Sequence, residues 1–356
     1  MKKYKPRILF MEARENLFGH KRQNEAIINV LSEIAELTIV FPSEWFQTIP
    51  QNVKYYQFTP DFICKKENFA QIIKSLQCMK FAKSLDQKMH FDCIFFASYN
   101  IYAMVLSRLM FRKHCERVFI LHHNISDQLD VSLSKRICFS LFKKKTKHIL
   151  IEDFIRNSFI QKQHVPDNLT YFFPHQLNIE KQSSHITYDY TGISNSNDEK
   201  WIKKIIAEER KTSILKNTGI RILLRSVHYE YDNGFLTVFK GILDEQKYYK
   251  IIMESRVILI PFPKEFRYRI SGSVADAFSN EKRVIGSNIP LIKKYHDDYP
   301  HICKTGVQIQ DIIKDYNNKE KYETICKKEF NQYKASHSYE AFKDAFRKIF
   351  INDAGV

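Results

Sequence analysis

Glycine is scarce, with nine residues in a chain of 356, and tryptophan occurs only twice. So few glycines weigh against a function that needs several glycine-rich loops. The seven cysteines, Cys64, Cys78, Cys93, Cys115, Cys138, Cys303 and Cys326, form no C-x-x-C pair and no zinc spacing. Their number is odd, and several lie in apolar stretches such as "FDCIFFA" and "RICFSLF", so they read as small buried hydrophobes in a reducing compartment. No Asp-x-Asp metal motif occurs. No apolar run approaches the length of a membrane-spanning helix. The first apolar run ends at Glu12, too short for a signal-peptide core and right for a buried strand. No period of tens of residues repeats, and no low-complexity segment stands out. The chain is also short of acid: 40 Asp and Glu face 56 Lys and Arg, a formal charge of +16. That balance favours anionic partners. No nucleic-acid-binding motif accompanies it, and the basic residues are spread along the chain, so nucleic acid is not the expected partner.

What is present is a packed globular composition, 44% hydrophobic and 14% aromatic, at a length that suits two domains. Short apolar runs alternate with helical patterns. "RILFMEA", "LTIVF", "VKYYQF", "FDCIFFAS", "RVFILHHN", "KHILIED" and "LTYFFPH" read as strands. Between them, "NEAIINVLSEI" places Ile27, Val30, Leu31 and Ile34 on one helix face, and a later helix is expected to turn Phe69, Ile72, Ile73 and Leu76 inward. A polar stretch over 176–186 reads as a linker. The alternation then restarts with "ITYDYTG", "GIRILLRS", "FLTVFKG", "VILIPFP" and "KRVIGSN" as strands, and closes in an amphipathic helical tail. The expected fold class is α/β, with two parallel sheets covered on both sides. Ligands of such sheets bind beyond the carboxyl ends of the strands. The residues there are the ones to watch: Glu12, Asn16, Gly19 and His20 after the first strand, the stretch Ser98-Tyr99-Asn100 after "FDCIFFA", and His122, His123 and Asn124 after "RVFIL".

The stretch "FRYRISGSVADAF" follows the strand "VILIPFP". Arg267 and Arg269 precede Ser271-Gly272-Ser273, and a helix follows. A helix N-terminus presents unpaired N–H groups and partial positive charge, which suit a phosphate. Ser271 or Ser273 caps or donates, and Gly272 lets backbone come close. An arginine fork grips phosphate oxygens. A structural ion pair or a solvated face is the competing account of both arginines.

This second half, "FKGILDEQKYYKIIMESRVILIPFPKEFRYRISGSVADAFSNEKRVIGSNIPLIKKY", resembles the donor-binding domain of GT-B glycosyltransferases, near the retaining family 4 group. It is carried by Gly241, Asp244-Glu245, Pro261, Asp276 and "EKRVI", and in the first half by "FGH", "ILHHN" and "YFFPH". The family carries two glutamates eight positions apart around this helix. Asp276 matches the second, whereas Tyr268 stands at the first, leaving Glu265 as the nearby carboxylate and the stereochemistry open.

The resemblance implies two Rossmann-like domains facing across a cleft: an acceptor-side domain over 1–178, a nucleotide-sugar domain over 179–335, and a C-terminal helix, 336–356, crossing back to the first. It implies transfer of a sugar from a nucleotide sugar to a glycan or lipid-linked glycan acceptor, in surface polysaccharide or glycoconjugate synthesis, with no metal and no cofactor. The implied catalytic residues are His123 (or its neighbour His122), Arg269 and Glu265. The implied substrate-binding residues are Arg267, Ser271, Gly272, Ser273, Asp276 (toward ribose), Arg225, Lys240, Gly241, Gly19 and His20. A cytoplasmic location is expected. The basic stretch 131–148, with Ile137, Phe139, Leu141 and Phe142 interleaved, fits a peripheral contact with anionic membrane at the inner face. A non-catalytic partner in a glycosylation complex and a sugar-nucleotide epimerase of the same fold are the alternatives.

Overall fold

The computed structural model describes residues 5–12, 21–41, 49–63, 67–111, 113–263, 265–295, 302–303 and 308–352. The chain falls into two compact units, 1–176 joined by 339–356, and 177–338.

The first unit is built on seven parallel strands: β1 Arg7–Met11, β2 Glu36–Phe41, β3 Lys54–Gln57, β4 Cys93–Phe96, β5 Val118–His122, β6 Lys147–Ile151 and β7 Thr170–Phe173. Their order is β3-β2-β1-β4-β5-β6-β7, so the connections reverse direction between β1 and β4. Strands β4, β5 and β6 are buried at every position, as expected where helices cover both faces. Helix Lys21–Ile34 buries Ile27, Val30, Leu31 and Ile34, the face its periodicity gives.

Helix Glu67–Met89 differs from the sequence expectation. Its buried apolar side chains are Ala70, Cys78, Met79, Ala82 and Leu85, while Phe69 is 49% exposed. The Phe69 ring meets Phe62 edge-on, at 6.1 Å between centroids, rather than the core. Ile72, Ile73 and Leu76 are half-buried, so Phe69 is the one of the four that clearly faces outward.

The tail differs as well. It is two helices, Lys319–Ser336 and Tyr339–Arg347, the latter continued by a π-helical turn over Lys348–Asn352. The break falls at His337, whose N–H caps Tyr333 O at 2.9 Å and whose ring stacks on Tyr333 at 3.7 Å. Only the second piece belongs to the first unit. Phe342 and Phe346 pack on Phe173, at 5.5 and 4.9 Å between centroids, and Phe350 reaches Phe119 at 4.8 Å. Lys343 and Tyr339 both bond Glu33, and these bonds hold the Glu33 carboxyl below its ordinary range. Aromatic burial on this scale contributes well beyond what the exposed ion pair adds.

The second unit repeats the plan: β8 Tyr188–Gly192, β9 Ile222–Ser226, β10 Tyr231–Asp232, β11 Leu236–Lys240, β12 Ser255–Ile260, β13 Arg283–Ser287 and β14 Ile302–Cys303. The order is β10-β11-β9-β8-β12-β13-β14, and only the short β10 runs antiparallel. Direction reverses between β8 and β12. At the end of β8, Gly192 fits where a Cβ would come within 2.9 Å of Leu224 and 3.4 Å of Leu259, so the side chains of the two flanking strands, β9 and β12, close tightly over it.

The polar segment after residue 176 has no regular structure up to β8, yet it is tied down. The Asn178 and Glu180 backbone N–H groups donate to Ser279 Oγ and Asn280 Oδ1, at 3.2 and 2.7 Å, and Asn280 Nδ2 returns a bond to Asn178 O at 2.8 Å. The chain thus enters the second unit along the C-terminal end of helix Gly272–Ser279. Among the described residues no helix is long and apolar enough to cross a membrane.

Candidate functional site

In the second unit the loop after β12 leaves the sheet at its reversal point and runs to Ser271, the N-cap of helix Gly272–Ser279. Ser271 is extended, and its Oγ accepts from Val274 N at 3.4 Å. Of the two serines considered from sequence, Ser271 is therefore the cap. Ser273 is buried, and its hydroxyl lies 3.1 Å from Tyr248 Oη. Gly272 is exposed, and a Cβ there would meet nothing within 4 Å. No protein neighbour demands glycine at that position.

Arg267 and Glu265 are exposed. Arg269 is half-buried, its guanidinium 4.4 Å over the Phe266 ring. Phe266 packs in turn on Phe262, at 4.3 Å between centroids. An arginine stacked this way keeps its charge and its outward N–H groups while its orientation is restricted.

Asp276 lies one turn inside the helix and is buried. Its Oδ1 accepts from Asn178 Nδ2 at 2.9 Å and from Tyr249 Oη at 3.1 Å; its Oδ2 accepts from Tyr248 Oη at 3.1 Å. Burial, and then the Asp276 charge, push the Tyr248 hydroxyl well above its ordinary pKa. Both oxygens thus serve residues of the same unit. Sequence gives Tyr248 as an inward residue of an amphipathic helix and no more, because a tyrosine on such a helix looks like ordinary core.

Arg225, Lys240 and Gly241 come together at the carboxyl ends of β9 and β11. Arg225 is buried, and its Nε donates to Gly241 O. Burial lowers its pKa, with the Glu199 carboxylate opposing. Its role in the structure is to hold the turn at Gly241, where φ is +119° and a side chain would be strained. Lys240 is exposed and 3.8 Å from Glu230.

The predicted residues of the first unit gather at the carboxyl ends of β1, β4 and β5. Glu12 is buried and accepts from Asn24 Nδ2 at 3.2 Å and from Ser98 Oγ. His123 is half-buried, with Nε2 3.0 Å from Ala97 O. His122 is buried between Tyr99 Oη, 2.6 Å from Nδ1, and His148 Nδ1, 2.8 Å from Nε2. Its pKa is held well below the ordinary value, by burial first and by the neighbouring histidines next. His148 was not singled out from sequence. Glu152 was also missed: it sits at φ +77°, opens helix Asp153–Gln163, and accepts from His175 N at 2.7 Å. Asn16, Gly19 and His20 lie outside the described residues. Among the described residues no group of three or more His, Cys, Asp or Glu could hold a metal ion.

On the basic stretch, helix Leu133–Phe142 corrects the expected interleaving. Phe139 and Phe142 are buried, whereas Leu133, Ile137 and Leu141 are 65%, 56% and 49% exposed. These three stand four residues apart and form one outward stripe, with Arg136, Lys144 and Lys145 exposed beside it.

No protein-family model matches the chain, and no curated protein does. Solved structures do. Sucrose-phosphate synthase from Thermosynechococcus elongatus superposes with a TM-score of 0.70 over 98% of this chain and 99% of its own, at 9% identity. HepE from Anabaena, solved with UDP-glucose, gives 0.64 over 97% and 99%, at 11% identity. The UDP-N-acetylglucosamine 2-epimerase from Rickettsia bellii gives 0.51 over 87% and 86%, at 13% identity. The chain has the GT-B fold, and at these identities the likeness speaks for the fold alone.

Proposed function

We propose that the chain is a glycosyltransferase that takes a sugar from a nucleotide-sugar donor, with the donor diphosphate at the loop Phe266–Ser271 and the N-terminus of helix Gly272–Ser279. The observation that carries this is the placement of that loop. It leaves the sheet of the second unit at the point where strand order reverses, the place where open α/β sheets take their ligands. It brings two arginines to a helix start whose first N–H groups seek an acceptor. HepE and sucrose-phosphate synthase share this fold over nearly their whole length, and HepE was solved with a UDP-sugar.

In this reading Arg267 or Arg269 neutralises the leaving diphosphate, in place of a metal ion. Arg269 is the better placed to do so at low entropic cost, because the Phe266 ring already restrains it. Ser271 holds the helix start in shape. Asp276 reaches the ribose, its carboxylate held in place by Asn178, Tyr248 and Tyr249. Glu265 is the carboxylate nearest the loop, and Arg225, Lys240 and Gly241 shape the edge toward the base. In the first unit, His123 meets the donor sugar. The acceptor is a glycan or lipid-linked glycan of surface polysaccharide or glycoconjugate synthesis. The stripe Leu133, Ile137 and Leu141, with its flanking cations, brings the enzyme to an anionic membrane from the cytoplasmic side.

Calorimetric titration of UDP, GDP, ADP and CMP tests this reading. One of them binds, and Arg269→Ala weakens it by about ten- to a hundredfold, the worth of one or two charge-assisted hydrogen bonds. Arg269→Lys restores part, since lysine lacks the fork. Equal binding by wild type, Arg267→Ala and Arg269→Ala removes the arginines from the site. Conversion of UDP-N-acetylglucosamine to its 2-epimer without acceptor would instead place the chain with the epimerase.

A further inference from the structure

Arg225 carries more hydrogen-bond donors than the fold uses. It is 9% exposed, near the carboxyl end of β9. Its Nε donates to Gly241 O. Among the described residues no acceptor meets Nη1 or Nη2. The Glu199 carboxylate favours the charged guanidinium without bonding it, because its oxygens are taken by Ser226 Oγ and Val227 N, at 2.5 and 2.8 Å. A guanidinium does not give up its proton in a protein, and buried N–H groups without an acceptor are costly. The tie to Gly241 needs only Nε. The rest of the fork is left for a ligand.

The Nε bond also decides which edge of the fork is free. The Nε–H side is spent on the turn after β11. What remains is the end of the guanidinium, where Nη1 and Nη2 present two parallel N–H groups. That edge matches two neighbouring acceptors with no donor between them.

The surroundings tell what kind of molecule carries those acceptors. Val227 and Ile242, just beyond the ends of β9 and β11, are exposed aliphatic side chains. Register pairs Ser226 with Lys240, so both leave the sheet at one edge. Apolar surface beside a few placed polar groups suits a ring. An anion suits this edge less well: Glu199 stands beside Arg225, and Glu230 lies 3.8 Å from Lys240, so a second anion would meet like charge. Strand order puts β8 between β9 and β12. About 10 Å therefore separates the end of β9 from the strand that delivers the arginine loop. That is on the scale of a ribose with its base.

An uncharged ring with two adjacent acceptors, held that far from a diphosphate, is a nucleobase, and the bases differ at this edge. Guanine sets O6 beside N7. Adenine sets an amino group beside N7, cytosine presents an amino group, and uracil a lone O4. We propose that the donor is a guanine nucleotide and that Arg225 is the residue that selects it, with Nη1 and Nη2 on guanine O6 and N7. The assignment rests on the nucleotide-sugar reading and adds the identity of the base, which that reading leaves open.

Calorimetric titration of the full chain with GDP, UDP, ADP and CMP, and with the analogues inosine diphosphate and 7-deaza-GDP, tests it. GDP should bind at least about tenfold tighter than UDP, ADP or CMP. Inosine diphosphate keeps O6 and N7 and should bind like GDP. 7-deaza-GDP has carbon in place of N7 and should lose roughly tenfold, the worth of one charge-assisted hydrogen bond. Arg225→Lys keeps a charge and loses the fork, and it should erase the gap between GDP and 7-deaza-GDP. An arginine that only held the turn at Gly241 would lower both affinities and leave the gap intact. Should that variant not fold, the analogues on the wild type still decide.

UDP, ADP or CMP bound as tightly as GDP, 7-deaza-GDP equal to GDP, inosine diphosphate as weak as UDP, or a gap that survives Arg225→Lys would each overturn the assignment and leave the nucleotide-sugar reading standing. Binding by none of the nucleotides strikes that reading itself, and the assignment with it.

Discussion

Asp315 is fully buried, and it holds the buried Arg283 in a two-pronged pair, at 2.6 and 2.9 Å. It also accepts from Tyr190 Oη at 2.7 Å. Arg283 opens β13, Tyr190 lies in β8, and these strands flank β12, which delivers the arginine loop. Asp315→Ala should therefore disturb the sheet beneath the candidate donor site. The magnitude follows from what is left behind. A guanidinium 2% exposed would lose its counter-charge, and breaking a buried pair from one side costs about 3–5 kcal/mol. Tyr190 would keep Ile312 O as acceptor at 3.2 Å, so its hydroxyl adds little to the loss. For a unit of this size each kcal/mol moves the midpoint by about 2–4 °C, which gives a fall of roughly 6–20 °C. Differential scanning calorimetry of the whole chain should show that fall in one transition, while the transition of the first unit stays in place. The double variant Arg283→Met with Asp315→Leu removes both charges and should recover most of the loss, because no uncompensated ion remains. A midpoint within about 2 °C of wild type in Asp315→Ala, or a double variant as unstable as the single, would refute the reasoning.

Three further outcomes are expected. The His122 pKa is depressed in the folded chain, so the unfolded chain binds its proton first. The stability this contributes is present above the unfolded value of about 6.5 and is lost as pH falls below it; denaturation midpoints measured across that window should drop in wild type and drop less in His122→Phe. Tyr248 is raised, so its contribution is complete below about pH 10 and is lost as pH climbs beyond; Tyr248→Phe should flatten the alkaline fall, and an unchanged slope would remove the Asp276–Tyr248 contact from the account. Ile137→Glu with Leu141→Glu should abolish sedimentation with vesicles rich in anionic lipid at low salt while leaving nucleotide binding intact, and a wild type that fails to sediment ends the membrane reading.

The strands were legible because a run buried on both faces needs apolar residues at every position, and "FDCIFFA" or "VILIP" admit little else. Two-residue β10 carries no such run, and its pairing to β11 is set by the turn at Gly234, with φ of +83°. The side-chain partners were illegible for a related reason. His122 and His148 lie 26 residues apart and meet because the register pairs Ile120 with His148 and His122 with Leu150. Alternation then sets both rings on one face, as diagonal neighbours. A shift of one residue would turn one ring to the other side of the sheet, and a sequence without register cannot tell the two arrangements apart. Arg267 and Arg269 make the same point at the donor loop. An extended segment would give both one side, yet one is exposed and the other lies on Phe266. The chemistry of that loop can be read from its residue types. The division of labour between its two arginines follows from packing, and for that reason it is Arg269→Ala, rather than Arg267→Ala, that should cost the larger share of nucleotide affinity.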